Sequence, residues 1–117
     1  MPKEYISPDG VLKLVFVRDD DDSTVGFDGY PWHTHGDVIA SELQLLGDPA
    51  VPAQTAAANF VRDILEGRVP ISVVRVNGRI TDVSATYLPE KEDPYRPANE
   101  TLEVRNWDGE SWLKRGR

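Results

Sequence analysis

The sequence predicts an α+β fold in which one or two helices from the middle of the chain pack on one face of a mainly antiparallel sheet. Apolar residues alternate with a β period toward both ends of the chain, and they follow a helical period only in the middle. The pairs Asn77-Gly78 and Asp108-Gly109 lie between β-prone runs and are typical of tight hairpin turns. Because 117 residues suit one domain, the chain is expected to form a single α+β domain over residues 1–117.

Three strands are predicted in the N-terminal part. A short strand at Glu4 to Ser7 turns back at Ser7-Pro8-Asp9-Gly10, whose proline and glycine suit a tight turn. The run Val11 to Arg18 has apolar side chains on both alternating sets, which predicts a central strand covered on both faces. The four aspartates Asp19 to Asp22 end this strand, and Thr24 to Phe27 is expected to return beside it.

Two helices are predicted next. Asp37 is the expected N-cap of a short helix near Val38 to Leu46, which Gly47 and Pro49 would end. The segment Ala53 to Glu66 is the clearer helix, since its apolar residues recur at steps of three and four and Gly67 follows it. Those apolar residues are Ala53, Ala56, Ala57, Phe60, Val61, Ile64 and Leu65.

The remaining chain is predicted to form two hairpins. The first joins Val69 to Val76 with Arg79 to Leu88, and a loop at Pro89 to Asn99 follows. The second joins Thr101 to Trp107 with Glu110 to Lys114. Trp107 and Trp112 flank its turn, where cross-strand aromatic packing is expected.

Charge and composition exclude several classes of function. The net charge is −7, and residues 1–58 hold three basic and ten acidic side chains while the rest of the chain holds ten of each. Such acidity disfavours nucleic-acid binding, since a phosphate backbone would be repelled. The absence of cysteine excludes disulfides and thiolate chemistry, and no serine-nucleophile or phosphate-binding motif is present. No long apolar run indicates a membrane segment, so a cytoplasmic location is expected.

Both histidines lie in the segment Tyr30 to Asp37. His33, His35 and Asp37 follow the spacing His-x-His-x-Asp, which resembles the first part of the metal-binding motif of the metallo-β-lactamase family, His-x-His-x-Asp-His. Val38 occupies the position of the final His, so neither the fold nor the activity of that family is expected here. Two imidazoles and a carboxylate can nevertheless hold Zn or Fe(II), which makes a small metal-dependent hydrolase the alternative function.

The preferred interpretation of the same segment needs no metal or other cofactor. In it, the histidines lie in a loop and Asp37 caps the helix. The run of aspartates lacks the alternating spacing of a calcium loop, which favours a solvated acidic turn.

The sequence therefore predicts a non-enzymatic module that binds a basic protein partner. Bacterial immunity proteins, which cover the basic active site of a toxin, share this profile of small size, acidity and no cysteine. A homodimer built through a sheet edge or the Trp107 to Trp112 hairpin is a third hypothesis. The predicted partner contacts are Asp19, Asp20, Asp21, Asp22, Asp28, Tyr30 and Trp32.

Overall fold

The computed structural model describes residues 3–19, 22–87 and 96–112. The α+β class is confirmed, with two mid-chain helices between antiparallel strands. The elements in chain order are β1 (Lys3–Ile6), β2 (Lys13–Arg18), β3 (Ser23–Phe27), β4 (His33–His35), α1 (Gly36–Leu45), α2 (Ala53–Leu65), β5 (Ile71–Val76), β6 (Arg79–Ala85) and β7 (Glu100–Arg105).

The strands are divided between two sheets. The first sheet has the order β1-β2-β3-β4, so each strand pairs with its neighbour in the chain. Its first turn is the predicted one, in which the Gly10 N–H donates to the Ser7 carbonyl at 2.8 Å and Gly10 has φ +75°. Short connections of this kind favour antiparallel neighbours, and all three pairings in the sheet are antiparallel.

The second sheet has the order β6-β5-β7. The predicted hairpin between β5 and β6 is confirmed, and both turn residues have positive φ, 53° at Asn77 and 81° at Gly78. The turn of the predicted second hairpin is present, since the Asn106 N–H donates to the Glu110 carbonyl at 2.8 Å and Arg105 forms an antiparallel bridge with Ser111, while β7 also pairs with β5. Residues 113–117, where the rest of that hairpin was expected, lie outside the described residues, as do residues 88–95 of the predicted loop.

Both helices end in the same glycine cap. After α2, the Gly67 N–H donates to the Ile64 carbonyl at 3.1 Å and the Arg68 N–H donates to the Asp63 carbonyl at 2.8 Å. Gly47, which was predicted to end α1, adopts positive φ after it. The bonds from the Gly67 and Arg68 N–H groups satisfy carbonyls that the last helical turn leaves unpaired. They need the left-handed backbone that glycine adopts freely.

The predicted N-cap of α1 is wrong. The N-cap residue is His35, and Asp37 lies in the first turn, where its Oδ1 accepts the Val38 N–H at 2.8 Å. The helix begins immediately after β4, and Gly36 allows its first turn to approach α2 closely. A Cβ at Gly36 would lie 2.2 Å from the Ala53 carbonyl oxygen.

The core lies between the inner face of the first sheet, helix α2 and the second sheet. The predicted helix face is confirmed, since Phe60 and Ile64 are fully buried. The buried apolar residues are Leu12, Leu14, Phe16, Val25, Phe27, Ile39, Ala56, Ala57, Phe60, Val61, Ile64, Val69, Ile71, Val73, Val83, Ala85 and Trp107. No helix within the described ranges is long and apolar enough to cross a membrane.

One expectation about burial needs correction. The prediction that β2 is covered on both faces is wrong, because Val17 remains 41% exposed while Phe16 beside it is buried. The core contacts only one face of the first sheet, so alternate side chains of β2 face solvent. Of the two Trp residues that flank the second predicted turn, Trp107 is buried in the core and Trp112 is partly buried.

Candidate functional site

The uncovered face of the first sheet is the surface from which the candidate site is built. The register places Val15 beside Gly26, and Gly26 beside His33. It also places Val17 beside Thr24, and Thr24 beside His35. Because side chains alternate across a strand, all of these positions share one face, opposite to the buried residues of β2 and β3. We call this surface the outer face.

A groove of about 280 Å³ lies on the outer face. Gly26 forms part of it, and a Cβ at this position would lie 3.1 Å from the Trp32 carbonyl oxygen and 3.3 Å from the Cβ of His33. The missing side chain therefore allows the backbone after Trp32 to approach β3 closely. The groove is lined by Val15, Val17, Thr24, Gly26, Phe27, Asp28, Gly29, Tyr30, Pro31, Trp32 and His33.

One wall of the groove is the turn between β3 and β4, which carries both aromatic rings. The Asp28 N–H donates to the Lys13 carbonyl at 2.9 Å, and the Tyr30 N–H donates to the Phe27 carbonyl at 3.2 Å. The ring of Trp32 lies with its centroid 5.9 Å from that of buried Phe27, at an interplanar angle of 34°. The first part of the turn is thus held by backbone hydrogen bonds, and both Tyr30 and Trp32 are partly buried against the core.

The two imidazoles adjoin the groove and contact each other edge to face, with centroids 5.1 Å apart. His33 Nδ1 lies 3.2 Å from the Pro31 carbonyl oxygen. His35 Nδ1 lies 3.0 Å from Asp22 Oδ2 and 3.3 Å from Thr24 Oγ1. The contact with His35 holds the Asp22 carboxylate at the edge of the outer face.

The structure does not bring His33, His35 and Asp37 together as metal ligands. The side chain of Asp37 is engaged with the backbone of α1. Across residues 3–19, 22–87 and 96–112, no three His, Cys, Asp or Glu side chains are grouped so that they could hold a metal ion. The geometry therefore gives no support to the hydrolase alternative.

The predicted partner contacts fall largely on one surface. Asp28, Tyr30 and Trp32 line the groove together, and Asp22 is held nearby through His35. Asp19 lies beside Asp22, whose carbonyl accepts the Asp19 N–H at 2.8 Å. The other two predicted contacts, Asp20 and Asp21, lie outside the described residues.

The sequence interpretation missed the strand residues of the groove. Val15 and Val17 were expected to be buried, and Gly26 was not singled out. A usable signal was present, because the inward set of β2 consists of larger side chains, Leu and Phe, while the outward set contains valines. A glycine inside a β-prone run also marks a close approach of another backbone.

A second groove, of about 350 Å³, lies where the ends of α1 and α2 meet Tyr87. The Tyr87 hydroxyl donates to Asp63 Oδ2 at 2.6 Å, and burial, together with this carboxylate, raises the pKa of Tyr87. Burial also raises the pKa of Glu42. The Thr86 hydroxyl partly offsets this rise by donating a hydrogen bond to the Glu42 carboxylate. The polar groups named here bond to one another, which is typical of a structural role.

Comparison with protein-family models, curated proteins and solved structures finds no match in any of the three. A functional assignment therefore depends on the chemistry of the outer face and its groove.

Proposed function

We propose that the protein is a non-enzymatic binding module that binds a basic protein partner through its outer face. The observation that carries this proposal is the meeting of Asp28, Tyr30 and Trp32 in one groove with Val15 and Val17. Aromatic anchors beside apolar side chains, with a carboxylate at the rim, are typical of the centre of a protein interface.

The exposed apolar area extends beyond the groove. Ile6 on the edge strand β1 is 66% exposed, and its partner in the register is Lys13 on the outer face. Val17 at the other end of the face is 41% exposed. Exposed aliphatic side chains at the two ends of this sheet face, with the aromatic residues of the groove beside Val17, provide apolar area that a partner can desolvate.

Charge indicates the nature of the partner. The whole net charge of −7 comes from residues 1–58, which include the entire first sheet. A negative field of this kind accelerates encounter with a basic surface and selects against acidic partners. The specific form of the proposal is an inhibitor that covers a basic active site, as bacterial immunity proteins do.

The test requires an identified partner. The protein would be used to capture binders from its host, and the captured protein would then be identified, purified and measured for association and dissociation rates. Replacing Asp19 to Asp22 by asparagine should slow association and weaken its dependence on salt. Trp32→Ala should instead speed dissociation, because a desolvated aromatic anchor typically contributes about 2 kcal/mol or more.

Matched controls lie away from the outer face. Leu45→Ala removes a large apolar side chain that is 79% exposed on α1, and Glu66→Gln removes a carboxylate after α2. Neither control should change either rate. If the outer-face variants also change both rates by less than about twofold, which is roughly 0.4 kcal/mol, the proposed surface is wrong.

A further inference from the structure

We infer that the groove on the outer face receives one lysine or arginine side chain of the partner, an inference that rests on the proposed function. In this arrangement the aliphatic stem lies against Val15 and Val17. The cationic head group lies beside the rings of Tyr30 and Trp32, within reach of the Asp28 carboxylate.

The size of the groove suits a single long side chain. Its volume of about 280 Å³ lies at or below the lower end of the range for small-molecule sites, roughly 300–1,000 Å³. The groove is also open to solvent, so a side chain can enter it from a partner surface.

The lining matches the two chemical parts of such a side chain. Lysine and arginine bury their methylene stems on apolar surface while the charged head stays near water. Val15, Val17 and the backbone at Gly26 provide the apolar floor. Tyr30 and Trp32 are also lining residues, and cations are attracted to aromatic rings through the ring quadrupole.

The charges around the groove select a cation. Asp28 is exposed and lines the groove, whereas no lysine or arginine is among the described residues that line it. Lys13, on the same sheet face, has its ammonium 3.8 Å from a carboxylate oxygen of Glu4. An incoming cation therefore meets a carboxylate in the groove, and the nearby ammonium of Lys13 already has a partner.

The experiment uses capped tripeptides that carry one side chain each. Ac-Gly-Arg-Gly-NH₂ and Ac-Gly-Lys-Gly-NH₂ would be titrated into the isotopically labelled protein at neutral pH and low ionic strength, with binding read from NMR shifts. Citrulline and norleucine peptides are the uncharged controls. The basic peptides should shift the Trp32 indole N–H and the backbone N–H groups of β2 and β3, and the controls should bind at least about fivefold more weakly.

Two variants locate the site. Asp28→Asn removes the carboxylate with little change in shape, and it should weaken binding of the basic peptides while leaving the norleucine control unchanged. Trp32→Ala should abolish the shifts, with retention of the remaining NMR spectrum showing that the sheet is still folded. Glu66→Gln, remote from the groove, should bind both peptides as the parent does.

The outcomes separate this inference from the proposed function. Equal binding of arginine and citrulline peptides, or shifts confined to residues outside the groove, would overturn the cationic pocket. The outer face could still prove to be the partner surface in the rate measurements. Conversely, specific binding of the basic peptides would support a cation pocket in the groove. A captured partner that is insensitive to Trp32→Ala would then count against the proposed function and would show that this partner does not use the pocket.

Discussion

Asp9 and Arg105, 96 positions apart in the chain, are joined by two parallel hydrogen bonds. Arg105 Nη1 donates to Asp9 Oδ2 at 2.8 Å, and Nη2 donates to Oδ1 at 3.1 Å. Arg105 is only 3% exposed, and its guanidinium also donates to the carbonyls of Asn106 and Trp107, each at 3.1 Å. The first turn of the first sheet is thereby fastened to the last strand of the second sheet.

Removal of the acidic partner should destabilise the fold strongly. Asp9→Ala leaves the buried guanidinium of Arg105 without its countercharge, and we expect the free energy of unfolding to fall by about 3 kcal/mol. Urea denaturation followed by tryptophan fluorescence measures this change. The matched control is Glu4→Ala, which breaks the exposed ion pair with Lys13 and should cost at most about 0.5 kcal/mol. Equal effects of the two substitutions would contradict a structural role for the Asp9 pair.

The same ion pair predicts a pH dependence of stability. Hydrogen bonds from Arg105 lower the pKa of Asp9 from its usual value of 3.8 to about 2. Since the folded state favours the carboxylate, the stabilisation from Asp9 is complete at pH values above the pKa that Asp9 has in the unfolded chain. This stabilisation is lost as the pH falls through about 2. The difference in unfolding free energy between the parent protein and Asp9→Asn should therefore shrink by about 1–2 kcal/mol between about pH 5 and pH 2. A difference that stays constant over this range would show that Asp9 does not titrate with a lowered pKa.

Gly36 should not tolerate a side chain. Alanine normally stabilises a helix by about 1 kcal/mol relative to glycine. Here its Cβ would lie 2.2 Å from the Ala53 carbonyl oxygen, so α1 and α2 must separate. We expect Gly36→Ala to lower the unfolding free energy by about 2–3 kcal/mol. Gln44→Ala, at an exposed position of the same helix, is the control and should be nearly neutral; a stabilised Gly36→Ala variant would refute the close contact.

Phe60 should be a major contributor to the stability of the core. Its side chain is fully buried on α2, and its ring contacts that of Tyr87 edge to face, with centroids 5.2 Å apart. Phe60→Ala should reduce the unfolding free energy by about 3–5 kcal/mol, measured by denaturant or thermal unfolding. Arg62→Ala, on the exposed side of the same helix, provides the comparison. A melting temperature close to the parent value for the Phe60 variant would be incompatible with this packing.

The parts of the fold that depend on local chemistry could be predicted from the sequence. Positive φ at Asn77 and Gly78 is what a two-residue hairpin turn requires, and glycine after α2 allows the helix to end where it does. The period of α2 likewise indicated its buried face, because a helix of this length presents a whole apolar stripe to the core. In each case the deciding interactions lie within a few residues of one another.

The tertiary structure alone decided how these pieces combine. Nothing local specifies that β7 pairs with β5, or that Asp9 meets Arg105, since these contacts join residues far apart in the chain. The groove also depends on packing between distant parts of the chain, because Val15 and Val17 remain accessible only if the core covers the opposite face of the first sheet. Alternating apolar residues indicate a strand and its two faces, whereas which face is covered depends on the packing of every other element. The sequence by itself therefore determined the turns, the apolar face of α2 and the presence of an acidic, aromatic segment. The packing of the two sheets decided that this segment lies on an accessible face of the protein.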